Sequence, residues 1–433
     1  MNKVGRILRL KQHKSSSTIN TVLQFLVREA YRNVPFYHRT WGAAGFRIDD
    51  FRGAQDLQML PITTRVDLLA QGLPDRLARH VHPGHTVSRV TSGMSGANFE
   101  IHMNRSELAF RQFVLGKRMW HNSGRRLPLT VVQAGSWVPT TSKSEITVRR
   151  TVWGRVIHIS RRLGLGEQIE AIAHSRPSIL TGCPSSLEIL ACEMRRRSID
   201  RIRPRIVIAR GEILRPQVRE LLADVFACKV TNYYSAEEIG LIAWQCPDAP
   251  EIMHVNRAAC VLEILDSEGM PSLPGQEGTV VVTNLFNRTM PLIRYSLGDR
   301  SALLNSAPAE CNCGPDVETI LTPAGRTDDI VVLPDNKQIS PRVIDDLVYI
   351  ACVAEGMESR FCRSIRDYQI VQDTSTLIRV LFLADGAPPD KLVATFTEGI
   401  KSLHPDLHCA LASVSDLEPE ESGKRRRITS HVE

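Results

Sequence analysis

Two sets of side chains in this sequence have the types and spacing of chemistry. The first is Thr91-Ser92-Gly93-Met94-Ser95-Gly96, with three hydroxyls and two glycines. Glycines let the backbone approach a ligand and take left-handed angles. Hydroxyls and exposed N–H groups are what polyphosphate oxygens require. No Gly-Lys-Ser/Thr closes the run, so it is not a Walker loop. It nearly spells the G-x-S-x-G of a serine hydrolase, but Ala97 takes the place of the last glycine. The alternation at 99–103 also predicts a strand where a nucleophile elbow needs a helix. A plain hairpin loop is the other reading. The second set is Cys246, His254, Cys311 and Cys313. If the intervening strands bring them together, three sulfurs and an imidazole satisfy tetrahedral zinc. Such a zinc would be structural, since no ligand position is left open; buried free cysteines and a strand histidine are the alternative. His80, His82 and His85 lie in a polar loop without an acidic or sulfur partner nearby, and read as solvated.

The elements that must position these residues are mixed. Helical spacing at 18–31 (Ile19, Val22, Leu23, Leu26, Val27, Ala30) predicts an N-terminal helix that Pro35 stops. Thr63 or Thr64 caps the next helix, with Asp67 in its first turn. Strands are predicted at 86–91 and 99–103 around the hydroxyl loop, and at 127–134, 179–181, 205–209 and 229–234. Helices are predicted at 166–173, 185–197 and 216–226. From Val261 a β meander follows, with strands at 261–265, 279–283 and 291–295 around a Gly/Pro-rich turn. The segment after Gly325 reads as a separate α+β domain, with strands near 330–332, 369–371 and 377–383 and helices at 341–351 and 389–401.

Composition narrows the classes. The chain has 433 residues, 42% hydrophobic and 23% charged, enough for a sizeable core and unlike a disordered or fibrous protein. No apolar run approaches the roughly 18–20 residues of a membrane span. A net charge of +7, spread along the chain, suits anionic small molecules as well as nucleic acid. Ten cysteines without dense pairing fit a reducing cytoplasm. The basic, serine-containing start resembles a transit peptide in composition, but helical spacing begins at once and favours a cytoplasmic protein.

Eight motifs in order give the chain a family resemblance. They are EAYRNVPFY at 29–37, LPITTRVDL at 60–68, TSGMSG at 91–96, RGE at 210–212 with YYSAEE at 233–238, HVN at 254–256, MPLIRYSLGDR at 290–300, GRTDD at 325–329 and SGKRRR at 422–427. The chain resembles the adenylate-forming superfamily of acyl-CoA synthetases, nonribosomal adenylation domains and luciferases, within it the phenylacetate–CoA ligase-like branch. The similarity runs nearly end to end. It implies an α/β fold: a large N-terminal body (1–325) of mixed β-sheets flanked by helices, with a β-barrel-like subdomain at about 245–325. A small, mobile α+β C-terminal cap domain (326–433) would follow.

The resemblance also implies a reaction and roles. A carboxylate attacks the α-phosphate of ATP, giving an acyl- or aryl-adenylate and pyrophosphate, and CoA then takes the acyl group as a thioester. Thr91, Ser92, Gly93, Ser95 and Gly96 would hold the phosphates, and Glu237 a Mg²⁺, a hard cation that wants carboxylate oxygen. Tyr233 or Tyr234 would pack on adenine, with Gly211 and Glu212 beside the base. Asp299 would accept both ribose hydroxyls, Arg326 would support ribose or phosphate, Asp328 would be the hinge, and Lys424 would bridge the substrate carboxylate and the α-phosphate. Some relatives in the branch also carry a structural zinc in the region of the cysteine cluster, and dimers are common in the branch.

Two departures stand out. Met94 removes a hydroxyl from the phosphate loop, and 331–341 reads VVLPDNKQISP where a glycine-containing stretch helps admit the thiol. The alternatives are therefore an adenylate-forming enzyme with an amine, hydroxyl or carrier-protein acceptor, and a nucleotide-binding homologue without turnover. Three arginines at 425–427 without an aromatic platform do not make a nucleic-acid site.

Overall fold

The computed structural model describes residues 16–92, 98–136, 144–246, 249–305, 318–323, 325–326, 331–339, 341–354, 365–384, 386–415, 417 and 428–432. The chain divides into two units. One comprises Met1–Thr91, Phe99–Asn122 and Thr231–Thr322, the other Ser92–Asn98, Ser123–Val230 and Pro323–Glu433.

In the first unit the N-terminal helix spans Ser16–Asn33, and Pro35 opens a second helix, Pro35–Ala43. Proline there costs no hydrogen bond, because the first N–H groups of a helix lack intrahelical acceptors. Both helices bury an aromatic cluster. Trp41 lies 4.7 Å from Tyr37 and 5.6 Å from Phe46 between ring centroids. Tyr37 then bridges to the far end of the unit: its hydroxyl donates to Pro291 O and accepts from Ile293 N–H. Thr64 is the cap of the helix Arg65–Leu69, in a reciprocal capping box with Asp67.

Strands Thr319–Leu321, Ile252–Val255, Gly240–Gln245 and Lys229–Ala236 follow one another in antiparallel pairing. The meander consists of Cys260–Leu265, Glu277–Asn284 and Tyr295–Ala302. Its third strand begins four residues later than the alternation predicts. Pro291 has no N–H for a ladder, and Arg294 is left-handed at φ 47°, so 291–294 runs irregularly into the strand. The Thr283 hydroxyl accepts from Arg294 N–H in this irregular stretch, and the Asn284 and Asn287 side chains accept from the N–H groups of Asn287 and Met290 just before it.

The second unit holds a parallel sheet in the order Ile206–Arg210, Ile179–Gly182, Leu129–Ser136, Gly154–Ser160, with Ile146–Thr151 antiparallel at the edge. Helices Leu165–Ser175, Pro184–Arg196 and Pro216–Phe226 connect the strands and bury Leu187, Leu190, Val218 and Leu222 against them. The segment after 330 has its own core around Ile344, Val348, Tyr368, Val380 and Phe396. There Ile365–Thr374 and Leu377–Ala384 pair antiparallel, each with a parallel outer partner, Ile428–Ser430 and His408–Val414.

Candidate active site

A turn of three residues, 237–239, joins the strands Lys229–Ala236 and Gly240–Gln245. Glu237 therefore stands on a hairpin tip and not at a helix start. Its Oε1 accepts from Arg89 at 3.0 Å and lies 3.2 Å from an Arg111 nitrogen, while Arg111 also donates to the Glu237 carbonyl at 2.6 Å. Glu238 pairs with Arg65 at 3.5 Å. Arg65 and Arg76 in turn stack over Phe99, at 5.3 and 5.4 Å from its ring centre. Arg89 belongs to the strand Val87–Ser92 and Phe99 to Asn98–Met103. The acidic hairpin is thus tied to both strands that flank the hydroxyl loop.

Arg111 comes from the helix Arg105–Asn122, which hydrophobic periodicity does not reveal. Glu107, Arg111, Arg118 and Asn122 recur at spacings of four, seven and four, so they share one face. That face is packed inward. Glu107 accepts from the N–H groups of Arg288 and Thr289, Arg118 sits over Trp244 at 3.4 Å, and Asn122 donates to the Tyr233 hydroxyl at 3.0 Å. The readable signal is the start: Asn104 caps the helix and Glu107 accepts from Asn104 N–H at 2.8 Å, a capping box. Burial and, after it, Arg118 lower the pKa of Lys117 on the same helix.

The two tyrosines divide by strand alternation. Tyr233 is fully buried, and burial pushes its hydroxyl pKa upward. Tyr234 is half-buried and donates to Asp299 Oδ2 at 2.6 Å. A charge-assisted O–H···O⁻ bond of this length is a strong one. Asp299 lies inside the strand Tyr295–Ala302, not at its end. The register jumps there: Ser296 faces Val281 and Arg300 faces Thr279, so 297–299 oppose one residue. Gly298 at φ 72° makes this bulge feasible and re-aims Asp299 out of the regular alternation.

The remaining candidates fall elsewhere. Gly211 and Glu212 belong to the second unit. Gly211 is left-handed at φ 85°, and Glu212 accepts from the N–H and hydroxyl of Ser185 at 3.0 and 2.8 Å, capping the helix Pro184–Arg196. Thr91 and Ser92 end the strand Val87–Ser92, and Arg326 lies in the short strand Gly325–Arg326. Gly93, Ser95, Gly96, Asp328, Lys424, Cys311 and Cys313 lie outside the described residues. Cys246 and His254 are both buried; Cys246 directly follows the strand Gly240–Gln245, its N–H bonded to Ile252 O at 3.0 Å, and His254 lies on the adjacent antiparallel strand. Among the described residues no group of three or more His, Cys, Asp or Glu could hold a metal ion. His82 Nδ1 accepts from Gly84 N–H at 3.2 Å, a local loop bond. Nor is any helix of the described residues long and apolar enough to cross a membrane.

The fold is that of the adenylate-forming CoA ligases. A 2-hydroxyisobutyryl-CoA ligase in its postadenylation state superposes with a TM-score of 0.72 at 20% identity, over 96% of this chain and 89% of that one. The sequence relatives are more specific. A phenylacetate–coenzyme A ligase of Thermus thermophilus is 27% identical over 320 residues, 72% of this chain and 70% of the relative. One from Pseudomonas putida is 23% identical over 365 residues, 82% of this chain and 79% of the relative. No family model matches the chain. This chain is thus similar in sequence to the phenylacetate–coenzyme A ligases and in fold to the adenylate-forming CoA ligases.

Proposed function

We propose that the protein is an AMP-forming acid–thiol ligase that activates a carboxylic acid with ATP and transfers the acyl group to CoA. The observation that carries this is the Tyr234–Asp299 pair on a bulged strand, in the same unit as Glu237 on its hairpin, in a chain homologous to CoA ligases. Asp299, held by Tyr234, would accept the two ribose hydroxyls, and the half-exposed Tyr234 ring, not the enclosed Tyr233, would face adenine. Gly211 and Glu212 would support the base.

The substrate carboxylate oxygen attacks the α-phosphorus and the bond to pyrophosphate breaks, so two anions must be held together. Fixed cations and donors supply that stabilisation. Thr91, Ser92, Ser95 and the N–H groups at Gly93 and Gly96 would hold the leaving phosphates. Lys424 would reach the carboxylate and α-phosphate, with Arg326 supporting ribose or phosphate. In the second step the thiolate sulfur attacks the acyl carbon and AMP leaves. Asp328 would be the hinge between a body at 1–325 and a cap at 326–433.

Mg²⁺ fits Glu237, whose two arginines both address Oε1 and leave Oε2 outside those ion pairs. A cation there would neutralise phosphate charge. Cys246 and His254, with Cys311 and Cys313, would form a structural zinc site. Ten cysteines without dense pairing support a cytoplasmic enzyme, and the family resemblance suggests a homodimer.

The test is exchange of labelled pyrophosphate into ATP over a panel of aryl, fatty and amino acids, with AMP release measured with and without CoA. Exchange with one acid class, CoA-dependent AMP release, and loss of both in Asp299→Ala and Lys424→Ala are expected. AMP release independent of CoA would reassign the acceptor. Absence of exchange across the panel in a folded protein would overturn the enzymatic reading.

A further inference from the structure

The four parallel strands that begin at Leu129, Gly154, Ile179 and Ile206 start at one edge of their sheet, and that edge is lined with arginine. The segments 125–127, 152–155, 174–178 and 199–206 contain seven arginines, no lysine and one acidic residue, Asp200. They are neighbours because the strand starts are in register: Thr130 faces Arg155, Val131 faces Ile179, and Ile179 faces Ile206. Side chains tie the segments together. Arg205 donates to Arg126 O at 3.3 Å and Arg155 to Ser175 O at 3.3 Å, and Arg203 donates to Val225 O of the helix Pro216–Phe226 at 2.8 Å. These acceptors are neutral carbonyls, which orient the guanidinium groups without cancelling their charge. Arg126, Arg155, Arg176, Arg201, Arg203 and Arg205 are all exposed.

Two further features share this edge. A cleft of about 800 Å³ opens between the helix Leu165–Ser175 and the 201–203 segment, lined by His174, Arg176, Arg201 and Arg203, with Glu170 paired to Arg201. Beside it two aliphatic side chains project into solvent, Leu127 at 54% and Val152 at 77% exposure. They are neighbours, since Leu129 N–H bonds Trp153 O at 2.7 Å.

We propose that this edge docks the protein onto an anionic phospholipid surface. Arginine's fork matches phosphate oxygens bidentately, and the cleft offers Arg176 and Arg203 to one headgroup, beside an Arg201 that Glu170 already pairs. Leu127 and Val152 then enter the acyl boundary, as the apolar side of an interfacial protein does. A nucleic-acid duplex would offer those two tips nothing, and the edge presents no exposed Phe, Tyr or Trp among the described residues for stacking on single strands. The inference is independent of the ligase reading, because none of these residues serves it.

Flotation of the full-length protein with phosphatidylglycerol/phosphatidylcholine vesicles tests it. Binding to these and not to pure phosphatidylcholine is expected, with loss at high salt. Arg176→Gln/Arg201→Gln/Arg203→Gln should weaken it about 25-fold, taking roughly fivefold near an anionic leaflet for each of the two basic side chains that Glu170 does not pair. Leu127→Ser/Val152→Ser should weaken vesicle binding several-fold while the melting temperature stays unchanged. The proposal fails if anionic vesicles are not bound at low salt, or if the triple variant binds them as well as the parent. It also fails if a DNA duplex or polyglutamate is bound more tightly than the vesicles and the aliphatic substitutions are without effect.

Discussion

Replacing Tyr234 with phenylalanine removes one hydroxyl, the donor to Asp299 Oδ2 at 2.6 Å, and leaves the ring in place. A hydrogen bond to a charged acceptor contributes about 1.5–3 kcal/mol net. Both residues are half-buried, so the lower part of that range applies, about 1.5–2 kcal/mol. If the bond orients the carboxylate toward the ribose, this energy appears as ATP affinity at about tenfold per 1.4 kcal/mol. In ATP–pyrophosphate exchange, the KM for ATP should rise roughly 10- to 30-fold in Tyr234→Phe while kcat changes little. Asp299→Asn should cost more, because it loses the charge that both ribose hydroxyls address. A double-mutant cycle isolates the link: once Asp299 is asparagine, removing the tyrosine hydroxyl should add almost nothing. An unchanged KM for ATP in Tyr234→Phe, or full additivity in the double variant, would refute the positioning role.

Other substitutions follow from the same geometry. Arg111→Ala should lower the melting temperature by about 4–8 °C, since a largely buried guanidinium with two partners is worth about 2 kcal/mol; Arg89→Ala, an exposed pair, should shift it by less than about 4 °C in the same scan. Gly154→Ala should impair folding outright, because φ is 133° and a Cβ would come within 2.7 Å of Leu129 N, whereas Gly124→Ala, left-handed but open, should cost about 1 kcal/mol in denaturant unfolding. Hydrogen bonds from Arg379 hold the Asp373 carboxyl below its ordinary range. A depressed folded-state pKa contributes stability that is present above about pH 4 and is lost as the pH falls through the folded value. Asp373→Asn should therefore lose less stability than the parent on acidification below pH 4, by at most about 1 kcal/mol for so exposed a pair, read as unfolding midpoints.

The sequence alone carried the order of motifs and the elements whose signals are local. The Thr64–Asp67 capping box, the helices ended by αL residues at Arg176 and Ala227, and the alternating strands depend on neighbours a few residues apart. The helix Arg105–Asn122 escaped because its inward face is Glu107, Arg111, Arg118 and Asn122, polar groups whose partners are distant in the chain. The hairpin of Ile146–Thr151 and Gly154–Ser160 escaped too: its outer strand has charged and exposed residues and so lacks an apolar alternation. Only the tertiary structure decided which tyrosine is enclosed and which reaches Asp299, since either parity of the strand satisfies the same sequence until its packing partner is known. It also decided that Glu237 meets Arg89 and Arg111, separated from it by 148 and 126 residues, and that seven arginines from four segments share one edge. Charges scattered along a chain become a site or a surface only when strand order and register bring them together, and no local rule encodes that order.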